Sequence, residues 1–333
     1  MLELVRKSDN SLDAMLESIE HRIGILGLDL TGLEVVTEAA TGAYASTAVI
    51  AALAGATVVH ACARGTHSHG SASDAIASTR ELARLAGVEE RISFSLGVPP
   101  NALGSCDILT NSGRIRPITR GMVELLPKKA VIALMFEAWE FRGTDIDLAA
   151  CHNRGIRIAA VNERHADVGV FSFLGPLCVR LLRDAETNVA GKRIAVLCDN
   201  PFADFLLDGL DREGAKATLF QSPVQMTPGP WDVVVLALLP QERPLDHGQL
   251  EIAARKAPDA LFAQFWGDID RDAACELGLR VCPLAEPGRG HMGILLNRLG
   301  FEPIVRLQTG SLSAAEIVRR GGPMVEGGVA SLL

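Results

Sequence analysis

The chain is poor in aromatics. Phenylalanine, tryptophan and tyrosine make up 5% of its 333 residues, and Tyr44 is the single tyrosine. A core short of rings is built mainly from alanine, leucine, valine and isoleucine. That mixture suits helices laid over a parallel sheet better than a β-sandwich. A basic surplus is also missing: 40 acidic residues against 32 basic ones leave a formal charge of -8. A nucleic-acid backbone is therefore not the expected partner. The seven cysteines, at 62, 106, 151, 178, 198, 275 and 282, are odd in number and form no C-x-x-C pair. Most lie in apolar runs such as Ile194-Ala195-Val196-Leu197-Cys198, which reads as reduced core thiols of a cytoplasmic protein. The longest apolar stretch, 45–63, is broken by Ser46, Thr47, Gly55, Thr57 and His60, so no membrane span is expected. No apolar signal core stands at the N-terminus. No G-x-S-x-G, P-loop or H-E-x-x-H occurs, which leaves hydrolase and kinase readings without a motif.

What is present is ordinary for a globular protein: 48% apolar and 22% charged residues, with length enough for about two domains. Leu12, Met15, Leu16, Ile19 and Ile23 have helical spacing, with Gly24 as the expected stop. From residue 33 strands and helices alternate. Strands are expected over 33–37, 57–62, 91–96, 107–110, 131–136 and 156–161, and helices over 41–53, 71–85 and 145–152. Residues 166–183 read as one long apolar helix crossing between domains. The alternation restarts at Gly191, with strands over 192–197, 217–220, 231–239, 260–265 and 279–283. Helices are expected over 202–212, 250–256 and 270–277, and a last one near 313–320. Such alternation implies right-handed βαβ units. The expected architecture is α/β: two doubly wound, Rossmann-like parallel-sheet domains with a cleft between them. The first spans 1–165, joined by 300–333, and the second 166–299.

Residues 107–220 resemble the D-2-hydroxyacid dehydrogenase and formate dehydrogenase group. Asp107-Ile108-Leu109-Thr110-Asn111-Ser112-Gly113 looks like that group's strand and substrate loop. Asp145-Ile146-Asp147-Leu148-Ala149-Ala150, then Arg154-Gly155-Ile156-Arg157-Ile158, resembles its next conserved segment. The resemblance implies an NAD- or NADP-dependent oxidoreductase. Its substrate would be a small anionic 2-oxo or 2-hydroxy acid, or a related imine or amine, and a homodimer is possible. The family's G-x-G-x-x-G turn reads Cys198-Asp199-Asn200-Pro201-Phe202-Ala203 here. Glycine is needed there so that backbone can approach a pyrophosphate at a helix N-terminus. Asn200 is able to take positive φ, Asp199 sets a negative charge beside the phosphates, and Gln221 stands where a ribose-binding acid is expected. Asp199, Asn200, Pro201 and Phe202 are one candidate cofactor set. The alternative is a structural turn in which Asp199 or Asn200 caps the next helix. A second candidate turn is Ala40-Thr41-Gly42-Ala43-Tyr44-Ala45. There Gly42, Ala43, Tyr44 and Ala45 open a helix, and Arg64 and Thr66 follow the next strand, where an arginine often meets an NADP phosphate. With Glu38 and Arg91-Ile92-Ser93-Phe94 this stretch also resembles the first motifs of Rossmann-type methyltransferases. It equally reads as an ordinary βα turn.

Glu286-Pro287 and His291-Met292-Gly293 resemble the family's catalytic pieces. The resemblance makes His291 the proton carrier and Glu286 the group that raises its pKa. Trp266-Gly267 falls where the family has R-G, so its carboxylate-binding arginine is missing from that place. Arg114, Arg116 and Arg142 are replacement cations, since arginine grips carboxylates in a fork; surface ion pairing is the alternative. Asn111, Ser112, Gly113, Glu137, Trp139 and Trp266 complete the substrate set. Glu163-Arg164-His165 is expected to open the long helix. His67-Ser68-His69 lacks a neighbouring acid or cysteine cluster, so no metal is expected. Two other readings stay open: a non-catalytic ligand-binding or scaffold member of the fold, and an S-adenosylmethionine-dependent transferase using the N-terminal domain.

Overall fold

Short runs rich in β-branched residues and buried on both faces make parallel strands when helices return the chain each time. The computed structural model describes residues 11–65, 70–241 and 243–333, and the chain divides into two compact units. Unit 1 holds residues 1–170 and 300–333, and unit 2 holds 171–299. Unit 1 carries β1 (Glu34–Glu38), β2 (Val58–Ala63), β3 (Ile92–Leu96), β4 (Ile108–Thr110), β5 (Val131–Ala133) and β6 (Arg157–Val161). Unit 2 carries β7 (Arg193–Leu197), β8 (Lys216–Phe220), β9 (Val233–Ala237), β10 (Leu261–Trp266) and β11 (Arg280–Cys282). The last strand, β12 (Ala330–Leu332), belongs to unit 1.

The unit 1 sheet has the order β12-β6-β5-β4-β1-β2-β3. It is parallel except at one edge, where β12 runs antiparallel to β6. The strand order reverses between β1 and β4, which pair through Val35 with Ile108 and Val36 with Leu109. The unit 2 sheet has the order β11-β10-β9-β7-β8 and reverses between β7 and β9. In doubly wound sheets ligands bind beyond the carboxyl ends of the strands at such reversals. β9 is the middle strand, buried at all five positions, as its apolar run requires. No described helix is long and apolar enough to cross a membrane.

Several expectations need correction. Gly24 does not stop the first helix, which runs Leu12–Leu26 and ends on Gly27 at φ 58. The region 166–183 is not one helix. Gly169 is left-handed at φ 62 and breaks it, residues Val170–Phe173 form a 3-10 turn, and the helix is Leu174–Asp184. The stretch 41–53 divides into a 3-10 turn, Gly42–Ala45, and a helix, Ser46–Leu53. The last helix spans Glu302–Arg320, starting well before residue 313. Its run Gln308-Thr309-Gly310-Ser311 is poor helix sequence locally, but packing demands small residues there. A Cβ on Gly310 would come within 3.0 Å of Val161 and Val168 side chains.

The same logic appears in unit 2, where the helices Leu174–Asp184 and Ala203–Arg212 cross on two glycines. A Cβ on Gly209 would fall 2.3 Å from the Gly175 Cα. Gly209→Ala must push the helices apart, and is expected to cost about 2–3 kcal/mol. Denaturant unfolding monitored on unit 2 tryptophans would read this as a lower midpoint; an unchanged midpoint would refute the close crossing.

Candidate functional site

β1 ends on an acid. Val35, Val36 and Thr37 are fully buried core residues, and Glu38 follows with 5% of its surface exposed. Its Oε2 accepts the backbone N–H of Arg114 at 2.9 Å. Burial pushes the carboxyl up to about 7, although that N–H and the charges of Arg116, Arg114 and Arg64 pull the other way. Desolvation therefore outweighs three nearby cations and leaves a carboxyl that changes charge near neutral pH. Sequence reasoning passed over Glu38 as a site residue. The available signal was a charged side chain closing an otherwise apolar parallel strand.

The loop after β4 lies alongside. The Thr37 and Thr110 hydroxyls meet at 2.8 Å, and Thr110 meets Ser112 at 3.0 Å. Asn111 donates its N–H to the Ala133 carbonyl and accepts the Met135 N–H on Oδ1 at 2.8 Å. Its Nδ2 is wholly buried and has no hydrogen-bond partner among the described residues. A buried amide donor left unmatched costs about 1–3 kcal/mol.

Four arginines converge on the same edge. Arg64, just past β2, donates from Nη2 to the carbonyls of Gly113 at 3.2 Å and Arg116 at 2.9 Å. Arg114 donates from Nη1 back to the Arg64 carbonyl. Arg116 and Arg142 share one carboxylate, Asp145 Oδ2, at 3.5 and 3.2 Å. Arg142 also sits 5.6 Å over the Phe136 ring. Tyr44 joins through its field: burial first, then the Glu38 charge, pushes its phenol up to about 12. Gly42 takes φ 58, and a Cβ there would meet nothing within 4 Å. Ala45 is buried, and Ser46 bonds back to the Ala43 carbonyl at 2.6 Å. So Tyr44 and Arg64, assigned by sequence to a cofactor turn, share one charged edge with Ser112, Gly113, Arg114, Arg116 and Arg142 of the substrate set. Thr66 and His67-Ser68-His69 lie outside the described residues.

Glu137 and Trp139 have other commitments. Glu137, 3% exposed, accepts the indole N–H of Trp139 at 2.5 Å, the Glu163 N–H at 2.8 Å and the Arg164 guanidinium at 3.1 Å. Glu140 is pushed up to about 8 by burial and by the Glu137 charge. Glu163 is held well above the usual range by burial, then by Glu140 and Glu137. Glu163 does not open a helix: it is buried, and the turn it starts ends at Gly169.

In unit 2 the turn after β7 is stitched by its own side chains. Asn200 is not left-handed; among described non-glycine residues only Glu186 is. Its Nδ2 donates to the Ala237 carbonyl at 2.6 Å and its Oδ1 accepts the Phe202 N–H at 3.1 Å. Asp199 Oδ1 accepts the Leu239 N–H at 2.8 Å. These bonds tie the end of β7 to the end of β9. Pro201 is exposed, whereas Phe202 is buried with its ring 4.9 Å from that of Trp266. Trp266, 4% exposed, donates its indole N–H to the Gly290 carbonyl at 3.3 Å. Phe202 and Trp266, expected at cofactor and substrate, are thus both buried and pack against each other.

Glu286 and His291 are both exposed. His291 Nδ1 lies 3.0 Å from the Arg289 carbonyl. A carbonyl only accepts, so in the neutral ring Nδ1 carries the proton and Nε2 is the basic nitrogen. Burial lowers the Arg271 pKa, and the Glu286 charge offsets part of that. Gly293 is obligatory, because a Cβ there would sit 1.8 Å from the Gln264 carbonyl oxygen. A hollow of about 820 Å³ beside β11, lined by Leu181, Leu261, Val281, Leu284 and Ile294 among others, includes none of the expected site residues.

No protein-family model and no curated protein matches the chain. Solved structures do match. A dipicolinate synthase component from Bacillus halodurans is 11% identical with a TM-score of 0.57, covering 87% of this chain and 99% of its own. Its counterpart, the dipicolinate synthase of Bacillus subtilis, is 10% identical with a TM-score of 0.55, covering 89% and 99%. The pyruvate reductase of Chlamydomonas reinhardtii is 13% identical with a TM-score of 0.50, covering 84% and 99%. The likeness is one of fold: two parallel-sheet α/β units. On that fold, the two departures noted in the sequence have structural substitutes. The glycine turn is replaced by the Asp199–Asn200 stitch, and the R-G position by a buried Trp266.

Proposed function

We propose that this chain is an NAD(P)-dependent oxidoreductase acting on a small anionic 2-oxo or 2-hydroxy acid, or a related imine or amine. The substrate is held at the β1–β4 edge of unit 1. The observation that carries this reading is the meeting of Arg64, Arg114 and Arg116 with a carboxyl, Glu38, pushed up to about 7, with Arg142 joined to Arg116 through Asp145. Guanidiniums orient an anion by paired N–H donors, and a carboxyl poised near the working pH can give or take a proton. His291, with Nε2 as its basic nitrogen, is the second proton carrier of the proposal, with Glu286 beside it in sequence. The fold likeness, and the dehydrogenase resemblance of residues 107–220, support a nicotinamide cofactor. The turn Cys198–Ala203 does not fit a pyrophosphate lying on bare glycine backbone.

That same turn favours a second reading, a ligand-binding member of the fold without redox activity. Calorimetric titration of the full chain with NADH and NADPH separates the two. Sub-millimolar binding of either supports the oxidoreductase. No binding at millimolar cofactor, with anion binding intact, leaves the second reading. Mass spectrometry of any co-purified small molecule would also expose S-adenosylmethionine.

A further inference from the structure

We propose that Asp268 and Trp266 are positioning residues for His291. They grip the two peptide groups that precede its Cα, and through them hold the imidazole with Nδ1 protonated and Nε2 basic. This deepens the proposed function and rests on His291 as a proton carrier, but the arrangement is testable with no cofactor or substrate.

Residues 288–291 form a turn closed by the His291 N–H, which donates to the Gly288 carbonyl at 2.8 Å. Gly290, third in that turn, takes φ 70, a value glycine reaches without strain. The Arg289–Gly290 peptide is a flat, rigid unit whose N–H and C=O point in opposite directions. Its N–H donates to Asp268 Oδ1 at 2.8 Å, and its C=O lies 3.0 Å from His291 Nδ1. The next peptide is held as well. Its C=O accepts the Trp266 indole N–H at 3.3 Å, and its N–H is the one that closes the turn. Two consecutive peptides thus have both their donors and both their acceptors bonded, and neither can swing without breaking two bonds. The Arg289 carbonyl is thereby aimed at Nδ1. Bonds to a carboxylate are stronger than bonds to a neutral oxygen, and hydrogen bonds in a chain polarise one another. Asp268 therefore makes the Arg289 carbonyl a better acceptor for the Nδ1 proton. It orients the ring as a carboxylate would, at one peptide's remove.

The gripping residues are themselves fixed. Trp266 ends β10 and is buried. Gly267 follows at φ 91, and a Cβ there would fall 2.5 Å from the Leu238 carbonyl oxygen. Beyond His291, the Gly293 N–H returns to the Phe265 carbonyl at 2.8 Å. The imidazole lies over Gly288, where a Cβ would come 3.1 Å from Nδ1. Trp266 thus stands at the R-G place of the sequence resemblance and holds the turn that bears the histidine.

The test is the tautomer of His291, read from long-range proton–nitrogen spectra of the full chain with nitrogen-15 histidine, at about pH 8.5, where imidazoles are neutral. Of the eight histidines, His291 is the one whose signal is lost in His291→Gln. Wild type is expected to hold the Nδ1–H form in about fivefold excess or more, the scale of one net hydrogen bond. Asp268→Ala is expected to abolish that excess. Asp268→Asn keeps an oxygen for the Gly290 N–H and is expected to retain most of it. Trp266→Phe keeps a ring against Phe202 but loses the indole N–H, and is expected to give an intermediate ratio. An Nε2–H majority in wild type would overturn the proposal. So would an Asp268→Ala or Trp266→Phe variant that folds normally and keeps the wild-type ratio. With a substrate that turns over, Asp268→Ala should lower kcat about tenfold with KM little changed, and Asp268→Asn should recover it. The spectra are taken without cofactor, so failure of NADH and NADPH to bind would remove the oxidoreductase reading and leave the tautomer result standing.

Discussion

Glu38→Gln is expected to stabilise unit 1 by about 3 kcal/mol well above pH 7, and by nothing below pH 4.5. The sign follows from where the proton sits. Folding raises this carboxyl from 4.5 to about 7, so between those values the folded chain holds a proton that the unfolded chain has released. Stability contributed by Glu38 is complete below 4.5 and is lost as pH rises to about 7. Glutamine mimics the protonated form at every pH and still offers Oε1 to the Arg114 N–H. The difference between variant and wild type, from denaturant unfolding at a series of pH values, isolates this group from carboxylates of opposite sign such as Asp232 and Glu302, whose pKa values are lowered. A flat difference across the series would mean that Glu38 is not desolvated. The same variant bears on function. Affinity of the proposed site for a small anionic acid should fall as pH rises through 7, because ionised Glu38 answers part of the arginine charge; in Glu38→Gln that fall should vanish.

Glu137→Ala is expected to cost about 3–5 kcal/mol in unit 1. It removes the acceptor of three donors at once: the Trp139 indole, the Glu163 N–H and the Arg164 guanidinium. The Glu163 N–H is sheltered from water and the Trp139 indole partly so. Glu137→Gln keeps an amide oxygen for them and should lose less than half as much. It should also flatten a pH effect. The Glu137 charge is among the causes that hold Glu140 and Glu163 above the usual carboxylate range. Those raised groups make stability decline as pH climbs from 4.5 towards about 8, and without the Glu137 charge the decline should be shallower. Thermal or denaturant midpoints compared between pH 5 and 8 would show it. An alanine variant as stable as wild type would mean that the three donors are satisfied elsewhere.

Both predictions concern residues that local sequence reading placed poorly. Glu137 was legible as unusual, an acid in the aromatic segment 137–142, but it read as a ligand-facing group. The structure spends it on an internal network, because Glu163 and Arg164, 26 and 27 positions away, fold against it. Asn111 to Arg116 were legible because a loop just past a strand in a βα unit lies at the carboxyl edge of the sheet. Arg64 was legible as a residue after β2, yet its partner is the β4 loop, 49 to 52 positions on. Asp199 and Asn200 were legible as a substitution for glycine and as possible caps. That Asn200 reaches across to Ala237 depends on β9 lying beside β7, which no local pattern states.

By itself the sequence determined that the chain is α/β with two doubly wound sheets. Burial of strands and helices repeats at short periods along the chain, and a parallel strand buried on both faces writes its own apolar run. Only the tertiary structure decided which charges meet. Glu38 and Arg114 are 76 positions apart, joined because β4 crosses over to lie beside β1. Whether Glu38 titrates near 4.5 or near 7 depends on the water removed by everything packed above it, and desolvation is a property of the assembled neighbourhood rather than of any residue or spacing.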